Sequence, residues 1–222
     1  MLIKEVASPI DLRKPEDAAQ WASEVNIKRP WRYAFFDYYA ELIQQSNARN
    51  VLEIGAGPGY LAKHLLERCP NIHYTAFDFS EAMHDLSRNR LLANELQRTR
   101  YVVGDFKQPD WGDPLTTYDV IIMHQALHEL RHKAYAMDFH HIVKTTLLNP
   151  NATYLLCDHL FAESAMTNNE LYMSKQEHLV SLQQAGFTQI EISLEIKGLC
   201  VFKCHLFVIT SSIQWASRRP LA

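Results

Sequence analysis

The sequence predicts an α/β fold with a seven-stranded, mostly parallel sheet that helices cover on both faces. Between residues 49 and 210, short β-rich runs alternate with helical stretches, which is typical of parallel sheets. The last two β-rich runs instead flank a tight turn at Lys197 and Gly198, which predicts an antiparallel C-terminal hairpin. With 222 residues, one domain and an accessory segment are expected. We predict three segments: a helical leader or lid, 1–48; the sheet domain, 49–212; and a loose tail, 213–222.

Five runs have the apolar character of buried parallel strands, and loop residues follow each of them. These runs are residues 50–54, 72–78, 100–104, 118–123 and 152–158. The hairpin is expected to add strands at residues 188–196 and 199–210. Helices are expected in the leader and in the gaps between strands, at residues 15–25, 31–43, 59–68, 80–96 and 174–186.

The composition favours a small-molecule partner over nucleic acid or membrane. Hydrophobic residues make up 47% of the chain and charged residues 21%, as in ordinary globular proteins. A formal charge of −3 lacks the basic excess of a nucleic-acid-binding protein. No apolar run reaches the roughly 18 residues of a membrane span. The four cysteines form no CxxC pair and follow no signal peptide, so we expect reduced thiols in the cytoplasm. We expect the protein to be a monomer or a homodimer.

The stretch VLEIGAGPGY indicates a ligand that approaches the main chain closely. Glycine at Gly55, Gly57 and Gly59 permits positive φ angles, and the helix that follows points its N-terminus into the same space. The dinucleotide fingerprint GxGxxG needs a glycine where this chain has Tyr60, and the lysine of a phosphate-binding P-loop is missing. A nucleoside-sized ligand at the carboxyl edge of the first strand remains.

Two acidic residues refine the ligand. Glu53 lies two residues before the first glycine, where it would repel a phosphate and hold a cationic group by charge-assisted hydrogen bonds. Asp78 ends the second strand, at roughly the 20-residue separation where an acid meets a ribose diol in dinucleotide sites. An adenosyl group with an amino-acid tail satisfies both demands.

With this motif, the chain from about residue 50 to 210 resembles the class I S-adenosylmethionine-dependent methyltransferases. Their motif, acid-x-G-x-G-x-G, is matched from Glu53 to Gly59. The resemblance implies a Rossmann-like sheet with a terminal antiparallel hairpin, S-adenosyl-L-methionine as cofactor, and methyl transfer to a small-molecule acceptor. It also implies these contacts: Glu53, Gly55, Ala56, Gly57 and Gly59 around the cofactor's amino-acid end, Asp78 on its ribose, Phe79, Asp105 and Phe106 around its adenine, and His124 beside its methionine part.

Histidines and acids follow the fourth and fifth strands, whose ends should be neighbours. The stretch HQALHELRH follows one strand, and Asp158 and His159 follow the other. One interpretation makes His128 or His159 a general base that Glu129 or Asp158 orients. A second makes the group a metal site for a chelating acceptor, and a third makes it structural. The sequence leaves these three open, and it does not choose the acceptor atom.

Three further hypotheses concern other functions or surfaces. HELRH also spells the zincin signature HExxH, but a metalloprotease is disfavoured because Tyr135 stands where the longer motif needs glycine. A relative that binds the adenosyl ligand without transferring methyl, as a sensor or partner subunit, stays open. The aromatic helix at 31–43 is interpreted as core, with Tyr33 as the ring to test for a lid. Met166, Tyr172 and Met173 are expected near an apolar acceptor or in simple packing.

Overall fold

The computed structural model describes residues 3–205 and confirms the predicted sheet of seven strands. The strands are β1 (Asn50–Ile54), β2 (His73–Asp78), β3 (Thr99–Val103), β4 (Tyr118–His124), β5 (Leu148–His159), β6 (Gln189–Ile196) and β7 (Leu199–His205). Their order in the sheet is β3-β2-β1-β4-β5-β7-β6. The predicted tail and the last five residues of the predicted seventh strand lie outside the described residues.

Strand directions follow the prediction. The first five strands pair in parallel, whereas β7 inserts antiparallel between β5 and β6. Lys197 and Gly198 join β6 to β7 with φ angles of 50° and 74°, as the twist of a two-residue hairpin requires. The order reverses beside β1, so the crevice at the carboxyl ends of β1 and β4 is the expected ligand position.

The helices are α1 (Pro15–Lys28), α2 (Arg32–Ser46), α3 (Tyr60–Arg68), α4 (Glu81–Arg90), α5 (Ala93–Leu96), α6 (Ala136–Ile142) and α7 (Lys175–Gln184). The one helix predicted over 80–96 is instead α4 and α5. Leu91 and Leu92 between them are extended, and the Glu95 carboxylate caps the new start by accepting from the Leu92 N–H at 2.7 Å. Glu95 also pairs with Lys63 of α3 at 2.7 Å, so tertiary contacts fix the break.

Each face of the sheet carries its own apolar core. One core packs α2 and α3 on the sheet, with Phe35, Phe36 and Tyr39 fully buried, which confirms that these rings are core residues. The other core lies under α6 and α7 and includes Phe139 and Leu182. All four cysteines are free and buried. No helix within residues 3–205 combines the length and the apolarity that crossing a membrane requires.

Candidate functional site

The loop between β1 and α3 has the conformation that its glycines predicted. Gly55, Gly57 and Gly59 have φ angles of 73°, 55° and 77°. A Cβ at Gly55 would lie 2.4 Å from Cβ of Ala126, and one at Gly59 would lie 2.2 Å from Oγ of Ser87. A Cβ at Gly57 would meet nothing within 4 Å. The outer glycines therefore permit close packing, and Gly57 leaves open space beside the main chain for a ligand.

Asp78 lies against this loop, at the end of β2. Its Oδ2 accepts from the Gly57 N–H at 2.7 Å, and its Oδ1 accepts from the Ser80 N–H at 2.9 Å. The carbonyl of Phe77 accepts from Gly55 at 2.8 Å and from Ala56 at 3.1 Å, which ties the loop to β2. Burial raises the pKa of Asp78 to about 6, and the backbone N–H groups oppose this rise. A carboxylate has about four lone-pair sites, so acceptor capacity remains for a ligand's hydroxyl group.

Glu53, the acid expected to hold a cationic part of the ligand, lies at the end of β1. The side chain is buried and its carboxyl group accepts from the Tyr74 hydroxyl. Burial raises the pKa of Glu53 to about 8, against the opposing effects of this hydrogen bond and of Arg32. The group is therefore mostly neutral at pH 7, and a cationic ligand nearby would have to draw its proton away.

A cavity of about 450 Å³ opens at the carboxyl ends of β2 and β3. Three residues that the sequence pointed to for adenine, Phe79, Asp105 and Phe106, line it together. Glu129, considered above as a partner of a catalytic histidine, lines the same cavity. The cavity volume falls within the range of small-molecule sites.

Residues 8–14 of the leader, which precede its first predicted helix, form one wall of this cavity. We call residues 6–14 the strap. Arg131 holds its start, because Nε donates to the Val6 carbonyl at 2.9 Å and Nη2 donates to the Ala7 carbonyl at 2.8 Å. The Ser80 hydroxyl donates to the Leu12 carbonyl at 2.5 Å. These bonds reach main-chain atoms, so no side-chain pattern marks the strap in advance. Tyr33, the ring named above to test for a lid, packs on Phe36 and His64 and does not line the cavity.

His124 ends β4 on the face that carries α2. Its Nδ1 and the Tyr39 hydroxyl share a hydrogen bond of 3.0 Å, and the rings of Phe35 and Phe36 pack against it. Burial holds the pKa of His124 well below its ordinary value, helped by the Arg32 charge. His124 is therefore a neutral imidazole under the glycine loop, and its Nε2 is buried without a partner among the described residues.

His128 and Asp158 form a hydrogen-bonded pair across the ends of β4 and β5. Nδ1 of His128 lies 2.8 Å from Oδ1 of Asp158. Oδ2 of Asp158 accepts from the backbone N–H of His128 at 2.8 Å. Burial lowers the pKa of His128, but the carboxylate outweighs it and the net pKa is raised. For Asp158, His128 overcomes burial and brings the pKa to about 2. The carboxylate thus fixes Nδ1 as the protonated nitrogen and leaves Nε2 as an acceptor.

His159 and Tyr172 complete the group around His128. The His159 ring lies 5.7 Å from that of His128, and Tyr172 lies 5.3 Å from His128 and 6.1 Å from His159. Nε2 of His159 shares a hydrogen bond of 2.9 Å with the Gln125 amide. Burial lowers the pKa of His159 to about 4. Of these two histidines, His128 is therefore the one that a carboxylate orients, and Oε1 of Glu129 lies 3.6 Å from its Nε2.

The zincin interpretation of HELRH has no structural basis. Residues 127–130 form a short 3₁₀ turn, and Arg131 then adopts a left-handed φ of 64°. His128 and His132 therefore do not share one face of a helix, as HExxH chemistry requires. Nδ1 of His132 instead accepts from the Ala134 N–H at 3.1 Å. Residues 3–205 contain no grouping of three His, Cys, Asp or Glu side chains suited to a metal ion.

Several buried histidines predict a loss of stability in acid. Burial lowers the pKa of His140 to about 3 and those of His84, His159 and His178 to about 4. The unfolded chain takes up these protons near pH 6.5, so each histidine removes stability as pH falls from 6.5 toward 4, by about 1.4 kcal/mol per pH unit. The raised pKa values of Glu53 and Asp78 act in the opposite sense in part of this window.

Urea unfolding at several pH values tests this with His178→Gln, since both ring nitrogens of His178 lack hydrogen-bond partners within the described part of the chain. We expect the variant to lose less stability than the wild type between pH 6.5 and 4, because it removes one proton-binding group from the unfolded chain. Parallel pH profiles for the two proteins would contradict the burial of a neutral His178.

Comparison with known proteins finds methyltransferases. A family model described as a methyltransferase domain matches residues 52–154, which includes the glycine loop, Asp78 and His128. A malonyl-[acyl-carrier protein] O-methyltransferase of Brevibacillus brevis is 22% identical over 208 residues, which cover 86% of this chain and 73% of that protein. The enzyme of the same name from Neorickettsia risticii is 40% identical over 79 residues, 28% of its length.

Solved structures agree in fold. Human N-acetylserotonin methyltransferase in complex with SAM superposes with a TM-score of 0.68 at 15% identity, over 89% of this chain and 58% of that one. An O-methyltransferase family protein from Burkholderia thailandensis gives 0.62 at 15% identity, over 89% and 64% of the two chains. The chain thus spans less than two thirds of these two solved proteins. At such identities the likeness establishes the fold.

Proposed function

We propose that this chain, which belongs to the class I S-adenosylmethionine-dependent methyltransferases, methylates a hydroxyl group of a small molecule with His128 as general base. The family confirms S-adenosylmethionine as the predicted cofactor. The observation that supports the finer proposal is the His128–Asp158 pair, with 2.8 Å between Nδ1 and Oδ1, at the end of β4.

The residues present fit this cofactor. The space beside Gly57 admits a ligand at the main chain, and Phe79, Asp105 and Phe106 line a cavity of suitable size. We assign Asp78 to the ribose hydroxyls, Phe79, Asp105 and Phe106 to the adenine, and Glu53, Ala56 and His124 to the amino-acid end. When bound, the cofactor supplies an electrophilic methyl group. The chain's own side chains orient the acceptor and remove its proton.

Transfer to a hydroxyl requires removal of its proton, because an alkoxide or phenoxide attacks far better than a neutral oxygen. In this proposal Nε2 of His128 accepts that proton, and Asp158 stabilises the resulting imidazolium. His159 has a pKa near 4 and remains neutral, so it shapes the pocket beside Tyr172. A carboxylate acceptor, such as the relatives' names suggest, has no proton to remove and would leave the pair unused.

Thermal unfolding tests cofactor binding. S-adenosylhomocysteine at about 100 times its dissociation constant should add about 2.7 kcal/mol, or about 5–10 °C in a chain of this size. NAD serves as the control ligand, and a shift with NAD alone would contradict the cofactor assignment. Transfer of labelled methyl is then measured on phenols, alcohols, amines and a malonyl thioester. Methylation of amines or of the thioester's carboxylate alone would overturn the hydroxyl proposal, and binding without any methylated product would favour a sensor or partner subunit.

A further inference from the structure

Two arginines in the α1–α2 connection lack carboxylate partners. Arg29 caps the end of α1, Arg32 begins α2, and the Arg32 N–H donates to the Arg29 carbonyl at 3.1 Å. Arg32 is only 6% exposed; its Nη1 donates to Oδ1 of Asn26 at 3.2 Å, and its Nε is buried without a partner. Arg29 is half-buried. Across residues 3–205, neither guanidinium forms an ion pair with a carboxylate.

The acids that could neutralise these charges are already engaged. Asp158 lies 2.8 Å from His128 and accepts from two backbone N–H groups. Glu53 accepts from Tyr74 and is mostly protonated at pH 7. Burial lowers the pKa of Arg32 to about 10, which still leaves it charged at neutral pH. The buried Arg32 therefore has the Glu53 carboxyl group nearby but no carboxylate of the described residues ion-paired to it, and a charge in that state favours an anion from outside the chain.

The two charges lie near the group formed by Asp158, His159 and Tyr172. Burial lowers the pKa of His159, and the charges of Arg29 and Arg32 both lower it further. Burial also lowers the pKa of Arg29, and Tyr172 and Asp158 oppose this change. The Arg32 guanidinium lies 5.4 Å from the centre of the Phe36 ring, which also packs against His124. Nζ of Lys197 lies 4.4 Å from the centre of the Trp31 ring, so the hairpin turn adds a cation beside the same connection. The positive charge thus lies between His124 and Glu53 on one side and His159 and Tyr172 on the other.

We propose that Arg29 and Arg32 bind a carboxylate of the methyl acceptor, so that the substrate is a small hydroxy acid whose hydroxyl group reaches His128. This inference rests on the proposed function and specifies its substrate class. Guanidinium groups offer paired donors that match the two oxygens of a carboxylate. A monoanionic carboxylate also costs less to desolvate beside a buried Arg32 than a dianionic phosphate. The cofactor's own carboxylate is the competing source of the anion, and the experiment separates the two.

Calorimetric titration of the full chain saturated with S-adenosylhomocysteine tests the proposal. The probes are benzoate and acetate, each against its neutral amide, benzamide and acetamide. We expect at least one carboxylate to bind about 10- to 100-fold more tightly than its amide, as a charge-assisted pair predicts. Arg29→Gln is expected to abolish this preference while leaving the affinity for S-adenosylhomocysteine unchanged. Lys28→Gln is the matched control, because it removes an exposed neighbouring charge that pairs with Glu24.

Three outcomes would overturn the proposal: equal binding of each carboxylate and its amide, a preference that survives Arg29→Gln, or an equal loss in Lys28→Gln. If Arg29→Gln instead weakens S-adenosylhomocysteine binding, the anion is the cofactor's and the acceptor assignment is wrong. Arg32→Gln is a less direct variant, because Arg32 is buried and its loss also disturbs folding. The titration is done only once S-adenosylhomocysteine has been shown to bind the wild type. Failure of that ligand to bind would contradict the proposed function and not the carboxylate site.

Discussion

Replacing His128 by alanine is expected to slow methyl transfer by about 10²- to 10⁴-fold, the contribution typical of a positioned general base. The reason is local: Asp158 holds Nδ1 of His128 at 2.8 Å, and the variant leaves the acceptor's hydroxyl proton without a base. The affinity for S-adenosylhomocysteine should not change, because the residues assigned to the cofactor lie on β1, the glycine loop, the 78–79 and 105–106 segments and the end of β4, and His128 is not among them. Single-turnover rates and calorimetry on the same variant measure the two quantities separately.

His141→Ala is the matched control, since His141 is an exposed histidine of α6. A second variant, Asp158→Asn, should lower the raised pKa of His128. A base must be deprotonated to act, so the wild-type rate rises with pH through the pKa of His128, and the rise should move to lower pH in Asp158→Asn. A rate loss equal to that of His141→Ala, or a pH profile that Asp158→Asn leaves in place, would show that His128 is structural.

The variant Gly57→Ala is expected to lose mainly cofactor affinity, whereas Gly55→Ala is expected to lose mainly folding stability. Gly57→Ala adds a Cβ with no protein atom within 4 Å, so the cost to folding is the left-handed φ of 55°, about 1–2 kcal/mol. The added methyl group would occupy the ligand's space, and we expect cofactor affinity to fall by at least about tenfold. Gly55→Ala places its Cβ 2.4 Å from that of Ala126 and should cost about 3 kcal/mol or more of folding stability.

Urea unfolding and titration with S-adenosylhomocysteine distinguish these two effects. The double variant Gly55→Ala with Ala126→Gly removes the contacted Cβ and should recover part of the lost stability, leaving the backbone strain. No recovery would mean that the contact with Ala126 is not the cause. A Gly57→Ala protein that binds S-adenosylhomocysteine like the wild type would show that the space beside Gly57 is not a ligand site.

The parts of the site that could be predicted from sequence are those set by strand ends. Parallel strands bring their carboxyl ends to one edge, so Asp78 and Gly57 on one side, and His128 and Asp158 on the other, could be expected to meet. The glycine loop was equally predictable, because positive φ at alternate positions restricts residue type.

Other parts depend on contacts that leave no local pattern. The strap is held through the carbonyls of Val6, Ala7 and Leu12, which every residue type carries. The break after α4 depends on Glu95, whose partner Lys63 lies on α3. The unpaired state of Arg29 and Arg32 follows from how the leader packs on the strand ends, which residue spacing does not determine. The HExxH match was disfavoured from the sequence because of Tyr135, but the left-handed φ of Arg131, which ends the turn, could not be predicted.

The strap also has a consequence for the order of folding. Arg131 and Val6 are separated by 125 residues, so the wall of the cofactor cavity forms only after β4 and the turn that follows it are in place. Contacts this distant in sequence carry a high loop-closure cost and are expected late in folding. The sheet can therefore assemble before the cavity exists. During refolding, recovery of cofactor binding should lag behind recovery of secondary structure, and the ligand would act as a reporter of the last long-range contacts.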